Sequence, residues 1–237
     1  MLANIRIILI NTSHPGNIGS AARAMKTMGL SELYLVTPLK FPHPKAVEMA
    51  SNAADVLEQA VVVGHIDEAL ADCGLIVGTS ARSRTIPWPM LTPRELAEKA
   101  QVDAQNNKIA IMFGQEQSGL TNEELHRCHF HIHIPSNPEY SSLNLAAAVQ
   151  VIAYELQVAS QSASSEQGWD YRFATGNEME YLYAHLEKVL VAIEFLKPEV
   201  PRQLMTRLRR LYNRARLDEL EVKMLRGMLT AIEKKIN

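Results

Sequence analysis

Short apolar runs rich in Ile and Val recur along the chain at Ile5–Ile10, Leu33–Val36, Val61–Val63, Leu75–Thr79, Ile109–Phe113 and Phe130–Ile134. Most are continuous rather than alternating, the pattern of strands covered on both faces of a parallel sheet. Between them the spacing turns helical: Ile18–Met28, Ala46–Leu57, Asp67–Ala71 and Pro93–Gln101, then a capped start at Thr121–Glu124 and a long helix over Ser142–Val158. This alternation predicts a doubly wound α/β domain over residues 1–160. Serines without apolar spacing follow, so residues 161–176 read as a linker. In it Trp169, Tyr171 and Phe173 alternate with Asp170 and Arg172, a pattern that suits docking of the linker, with base stacking as the alternative.

Residues 177–237 predict a small helical domain. One helix has Leu182, Leu186, Val189, Leu190 and Ile193 on a face and is bounded by Pro198 and Pro201. A second has Leu204, Leu208 and Leu211, and a third, starting near Asp218, has Leu225, Met228, Leu229 and Ile232. About sixty residues make a thin core, so docking or dimerisation should help to hold it.

Basic and acidic residues nearly balance over the 237 residues, at 24 and 26, so net charge does not announce a nucleic-acid binder. Local charge does more. Arg202, Arg207, Arg209, Arg210, Arg214 and Arg216 share one stretch without an acid, and Arg82 and Arg84 alternate just beyond the fourth strand. Cys73 and Cys128 give no disulfide framework and fit a reducing compartment. The run Ile7–Ile10 is too short for a signal-peptide core, and Leu145–Tyr154 is too short to span a bilayer. A soluble cytoplasmic protein without a membrane partner is expected. His129, His131 and His133 share one strand face with Cys128 on the other. A zinc site needs a fourth convergent ligand, so sheet packing under a helix is the expectation, and no metal.

Three stretches concentrate the chemistry: Asn17-Ile-Gly-Ser-Ala-Ala-Arg23, Phe113-Gly-Gln-Glu-Gln-Ser-Gly-Leu120 and Ser141-Ser-Leu-Asn-Leu-Ala-Ala-Ala148. Each follows a strand and opens toward a helix, where an open α/β sheet places its ligand chemistry. They offer an arginine, a glutamate, hydroxyls and amides but no nucleophile–base pair, which suits positioning a substrate against an activated cofactor. A dinucleotide reading fails here. The glycines after the first strand do not follow G-x-G-x-x-G, and the second strand ends Val36-Thr37-Pro38 with no acid for a ribose. There is no P-loop lysine motif either.

With Asn17 and Arg23, Glu116 within Gly114–Leu120, and Ser142-Leu143-Asn144 in this order, the chain resembles the SPOUT class of RNA methyltransferases. Thr79-Ser-Ala-Arg-Ser-Arg-Thr85 and Pro138-Glu-Tyr-Ser-Ser-Leu-Asn144 make it most similar to the tRNA ribose 2′-O-methyltransferases acting on cytidine or uridine 32 of the anticodon loop. The resemblance implies a parallel-sheet SPOUT fold with a C-terminal trefoil knot, a homodimer, and S-adenosyl-L-methionine as cofactor, leaving as S-adenosyl-L-homocysteine. It implies Arg23 as the reacting-side group, acting either as base or as stabiliser of a developing alkoxide. Ser142, Asn17, Glu116 and Asn144 would assist, with a helix cap as the bland alternative at Ser141 or Ser142. Thr79, Ser80, Ala81, Gly114, Ile134, Ser141, Ser142 and Leu143 match the cofactor-loop positions. Arg82, Arg84, Arg207, Arg209 and Arg210 are the candidate phosphate contacts. The rival expectation is a module of the same fold that binds RNA or a ribosome without turnover.

Overall fold

The computed structural model describes residues 1–80, 88–161, 171–197 and 203–236. In its first part, β1 (Ile5–Ile10), α1 (Pro15–Thr27), β2 (Glu32–Val36), α2 (Pro44–Ala50), α3 (Ala54–Glu58), β3 (Val61–Val63), α4 (Ile66–Leu70) and β4 (Cys73–Thr79) follow in order. Then come β5 (Met90–Leu91), α5 (Pro93–Asp103), β6 (Lys108–Phe113), α6 (Asn122–Leu125), β7 (Phe130–Ile132) and α7 (Leu145–Ser160). All strands pair in parallel in the order β3-β2-β1-β6-β4-β7-β5.

Alternation along β1 explains the layers. Ile5, Ile7 and Leu9 face a core shared with α1, α5 and α7, while Ile8 and Ile10 face a second core with α4 and α6. Arg6 is buried among these apolar neighbours because Glu32 and Asp72 accept from its guanidinium at 2.7 Å and the Tyr34 ring lies 4.0 Å below it. The two cysteines are buried and unpaired with each other, and burial pushes both thiols up, so neither is a ready nucleophile.

Several boundaries differ from the sequence expectation, each for a local reason. The predicted helix Ala46–Leu57 is broken at Ser51, which takes a φ of 53°. The strand from Phe130 ends at Ile132 rather than Ile134, and β5, two residues long, is too short for any pattern to reveal. Two of the three histidines are packed inside: the His129 Nδ1 accepts from the Ile76 amide at 2.9 Å, and the His131 ring stacks on Trp88, while His133 is half-buried. Among the described residues no group of three or more His, Cys, Asp or Glu converges as a metal ion would need. Nor is any described helix long and apolar enough to cross a membrane.

β7 lies between β4 and β5, although it comes later in the chain than both. The Ser80 amide reaches the Ile132 carbonyl on one side, and the His131 and His133 amides reach Pro89 and Leu91 on the other. A trefoil knot requires a later segment to pass through an earlier loop. That loop includes residues 81–87, which lie outside the described residues.

Three helices follow: α8 (Gly176–Ala192), α9 (Leu204–Ala215) and α10 (Glu219–Ile236). Their core joins Met179, Leu182, Tyr183, Leu186 and Val189 to Val222 and Leu229. Ile193, Met228 and Ile232, predicted to face it, are instead exposed: Ile193 follows the last turn of α8, and α10 buries only one narrow stripe. Of the aromatic trio, Trp169 lies outside the described residues and Tyr171 is exposed. Phe173 lies under the Arg216 guanidinium at 3.9 Å, a docking contact.

Candidate functional site

The carboxyl ends of β4, β6 and β7 open into one cavity of about 220 Å³. Thr79, Ser80, Gly114, Ile134, Ser141, Ser142 and Leu143, seven of the expected cofactor-loop residues, line it together with Glu116. Ala81, Arg82 and Arg84 lie outside the described residues. Ile132, Leu145 and Ala148 also line the cavity. The sequence did not single these out, because apolar residues at a strand end and in a first helical turn look like ordinary core.

The loop after β6 doubles back tightly. Gly119 has a φ of 70°, its amide donates to the Gln115 carbonyl at 2.8 Å, and a Cβ placed on Gly114 would sit 2.2 Å from the Gly119 carbonyl carbon. Only glycine permits that approach. The fold-back points Glu116 at the start of α1. Its carboxylate accepts from the Ser13 amide at 3.1 Å, the Ser13 hydroxyl at 3.0 Å, the His14 amide at 3.1 Å and the Asn17 side-chain amide at 3.1 Å. Burial works against its charge, but these donors outweigh it and hold the carboxyl at about 2. Ser13 and His14 were missed in the sequence. The available signal was their position just before Pro15, where helix-start amides favour an anion.

Asn17 continues the chain of bonds. Its side-chain Oδ1 accepts from the Asn144 side-chain amide at 3.1 Å. Asn144 in turn accepts from the Ala146 amide at 2.9 Å, capping α7. This corrects the cap position: the helix starts at Leu145, not Ser142, and Asn144 rather than Ser141 or Ser142 is its cap. The two serines are thereby left in the cavity wall. Glu116, Asn17 and Asn144, one from each distant stretch, are thus wired in series beside a common cavity.

Arg23 does not join them within one copy. It is exposed and absent from the cavity wall. Helical geometry gives the reason, since six residues after Asn17 it lies about 9 Å along α1 and on a different stripe. It shares instead the stripe of Gly16 and Gly19. Gly19 is required by packing, not by a nucleotide: its Cβ would fall 2.0 Å from the Ala46 carbonyl oxygen of α2.

S-adenosylmethionine fits the donor set. Hydroxyls of Ser141 and Ser142 and the main chain of three loops can meet adenosine's neutral polar edges, while Ile132, Ile134, Leu143 and Leu145 offer its ring an apolar wall. Among the candidate phosphate contacts, Arg207 is exposed. Arg209 is paired within the helical domain: its guanidinium meets Glu180 at 2.6 Å and lies 4.3 Å from the Tyr183 ring.

A family model described as SpoU rRNA Methylase family matches residues 4–154, and one described as the tRNA methyltransferase TrmJ C-terminal domain matches residues 177–237. A tRNA (cytidine/uridine/adenosine-2'-O-)-methyltransferase TrmJ of Pseudomonas aeruginosa (strain UCBPP-PA14) is 53% identical over 99% of this chain and 95% of its own. A tRNA (cytidine/uridine-2'-O-)-methyltransferase TrmJ of Cronobacter sakazakii (strain ATCC BAA-894) is 53% identical over 100% and 99%. The crystal structure of TrmJ from Z. mobilis ZM4 superposes with a TM-score of 0.84 at 35% identity, covering 96% of this chain and 98% of that one. The chain therefore belongs to the SpoU rRNA methylase family, as an S-adenosylmethionine-dependent methyltransferase with a TrmJ-type C-terminal domain.

Proposed function

We propose that this enzyme methylates the ribose 2′-oxygen of tRNA, at cytidine or uridine 32 of the anticodon loop, in the cytoplasm and as a homodimer. The observation that carries the reading is the series Glu116–Asn17–Asn144 at the cavity rim, which ties the cofactor loops to the helix bearing Arg23. The relatives' names support the tRNA substrate and the 2′-oxygen. Position 32 rests on the stretches 79–85 and 138–144.

S-adenosylmethionine supplies a methyl group already activated on sulfur, so the transfer needs neither a metal nor a covalent intermediate. The chain's task is alignment, which can supply roughly 7–11 kcal/mol of the barrier. Glu116 fixes the start of α1, Asn144 joins α1 to α7, and Ser142 orients the 2′-hydroxyl. The guanidinium of Arg23 grips a neighbouring phosphate and stabilises the developing alkoxide, the 2′-hydroxyl proton leaving to solvent water as the oxygen takes the methyl group from sulfur. Because Arg23 misses the cavity of its own copy, a second copy must bring a cavity to it. The face for that pairing is on α7, where Val151, Tyr154 and Val158 are 37%, 54% and 44% exposed at spacings of three and four. Arg82, Arg84, Arg207 and Arg210 are assigned to the RNA backbone, with affinity falling as salt rises.

Incubation with labelled cofactor and unmodified tRNA, followed by mapping of the product, tests the reading. Methyl incorporation at the ribose of nucleotide 32 is expected. Transfer to another anticodon-loop nucleotide would overturn the position, and RNA binding without transfer would favour the binding module.

A further inference from the structure

The polar side chains of α9 sort into two stripes. Arg209, Asn213 and Arg216 recur at the spacing that shares a helix face, and all three turn inward. Arg209 bonds both oxygens of Glu180 in α8, at 2.6 and 2.7 Å. Asn213 accepts from the Tyr183 hydroxyl at 2.5 Å and donates to the His126 and Cys128 carbonyls at 3.2 and 3.1 Å, at the entry to β7. Just past the helix, Arg216 donates to both oxygens of Asp103 at 2.7 Å and to the Gly74 carbonyl at 3.3 Å. Arg207 and Arg214, seven apart on another stripe, are exposed.

The Arg216–Asp103 pair is expensive. Both residues are buried, at 8% and 3% exposure; Arg216 has a φ of 53°, and its Nε is buried without a partner. Replacing such a pair with apolar residues of similar size is often neutral or stabilising, so stability does not explain its presence. Nη1 spans both Asp103 oxygens while Nη2 holds the Gly74 carbonyl, and these two points of attachment fix the direction of the guanidinium. The pair joins residues 113 apart in sequence, from the end of α5 to the end of α9.

We infer that Asp103 and Arg216, with Asn213 on the Cys128 carbonyl, form a latch that holds the helical domain at one angle on the methyltransferase domain. The outward stripe of Arg207 and Arg214 then meets the RNA backbone at a set distance from the cavity. The three latch residues are positioning residues, and their second role rests on the tRNA reading above. The test uses the full chain carrying Asp103→Leu with Arg216→Met, and separately the milder Arg216→Lys. Spin labels at Glu98 and Lys223 report the distance between domains. The distance distribution should be narrow in the parent and broad in both variants. Cofactor affinity and kcat at saturating tRNA should hold, while KM for tRNA rises on the order of tenfold as the preset geometry is lost. A distribution that stays narrow would overturn the latch, and a broad one with unchanged KM would overturn its role in RNA presentation. If the parent itself transfers no methyl group, the tRNA reading fails while the distances still decide the latch.

Discussion

Glu116 lines the cavity surrounded by donors, whereas Arg23 is exposed on α1 away from it. Lysine at position 23 keeps the charge but loses the planar fork. We expect Arg23→Lys to lower kcat by about 10²-fold or more with cofactor affinity intact, as when one transition-state donor is removed. Calorimetric titration with cofactor beside single-turnover methyl transfer checks it, and near-normal turnover would reject the role. His129 gives an acid-side prediction. Burial first, then Arg216, holds its imidazole at about 3 against an ordinary 6.5, so the unfolded chain takes up a proton that the fold refuses. Its stabilising contribution is complete above pH 6.5 and is lost as pH falls toward 3, at about 1.4 kcal/mol per unit. Urea unfolding should show the loss setting in near pH 6.5 and approaching that slope by pH 5, and His129→Asn should flatten it. An identical slope in the variant would assign the acid sensitivity elsewhere.

At the scale of elements, the contact between α1 and α2 sets the platform for Arg23. With Gly19 pressed on the Ala46 carbonyl, Gly19→Ala forces the helices apart and should cost about 3 kcal/mol, the upper range for overpacking. Thermal unfolding reads this directly; a Tm within error of the parent would mean that α2 yields easily. Continuous Ile/Val runs made the central strands legible, because burial on both faces leaves few polar positions, Arg6 being a paired exception. Pattern could not show that Asn144 rather than Ser142 caps α7, since each is a good cap and only tertiary contact with Asn17 chooses. Nor could it separate the inward Arg209 from the outward Arg207, two residues apart on one helix. The residues expected to meet the cofactor were named through the family resemblance, and seven of them line one cavity. The fold-back that joins Glu116 to Ser13 and His14 depends on backbone geometry that composition does not encode.

For the whole molecule, the proposed homodimer can be tested at the α7 face. A charge at the centre of the α7 stripe opposes that pairing without touching the cavity. Tyr154→Glu should give a folded monomer by sedimentation, with normal cofactor binding and methyl transfer lowered at least in proportion to the lost dimer. An active monomer would show that Arg23 reaches the reaction from its own copy. Asn144 has a further consequence. It touches one helix with its oxygen and Asn17 with its nitrogen, and Asn17 leads to the carboxylate held by Ser13 and His14. The amide resonances of Ser13 and His14 therefore form a spectroscopic gauge of the pocket, able to register an arriving nucleoside through Glu116 in its wall while neither residue lines it.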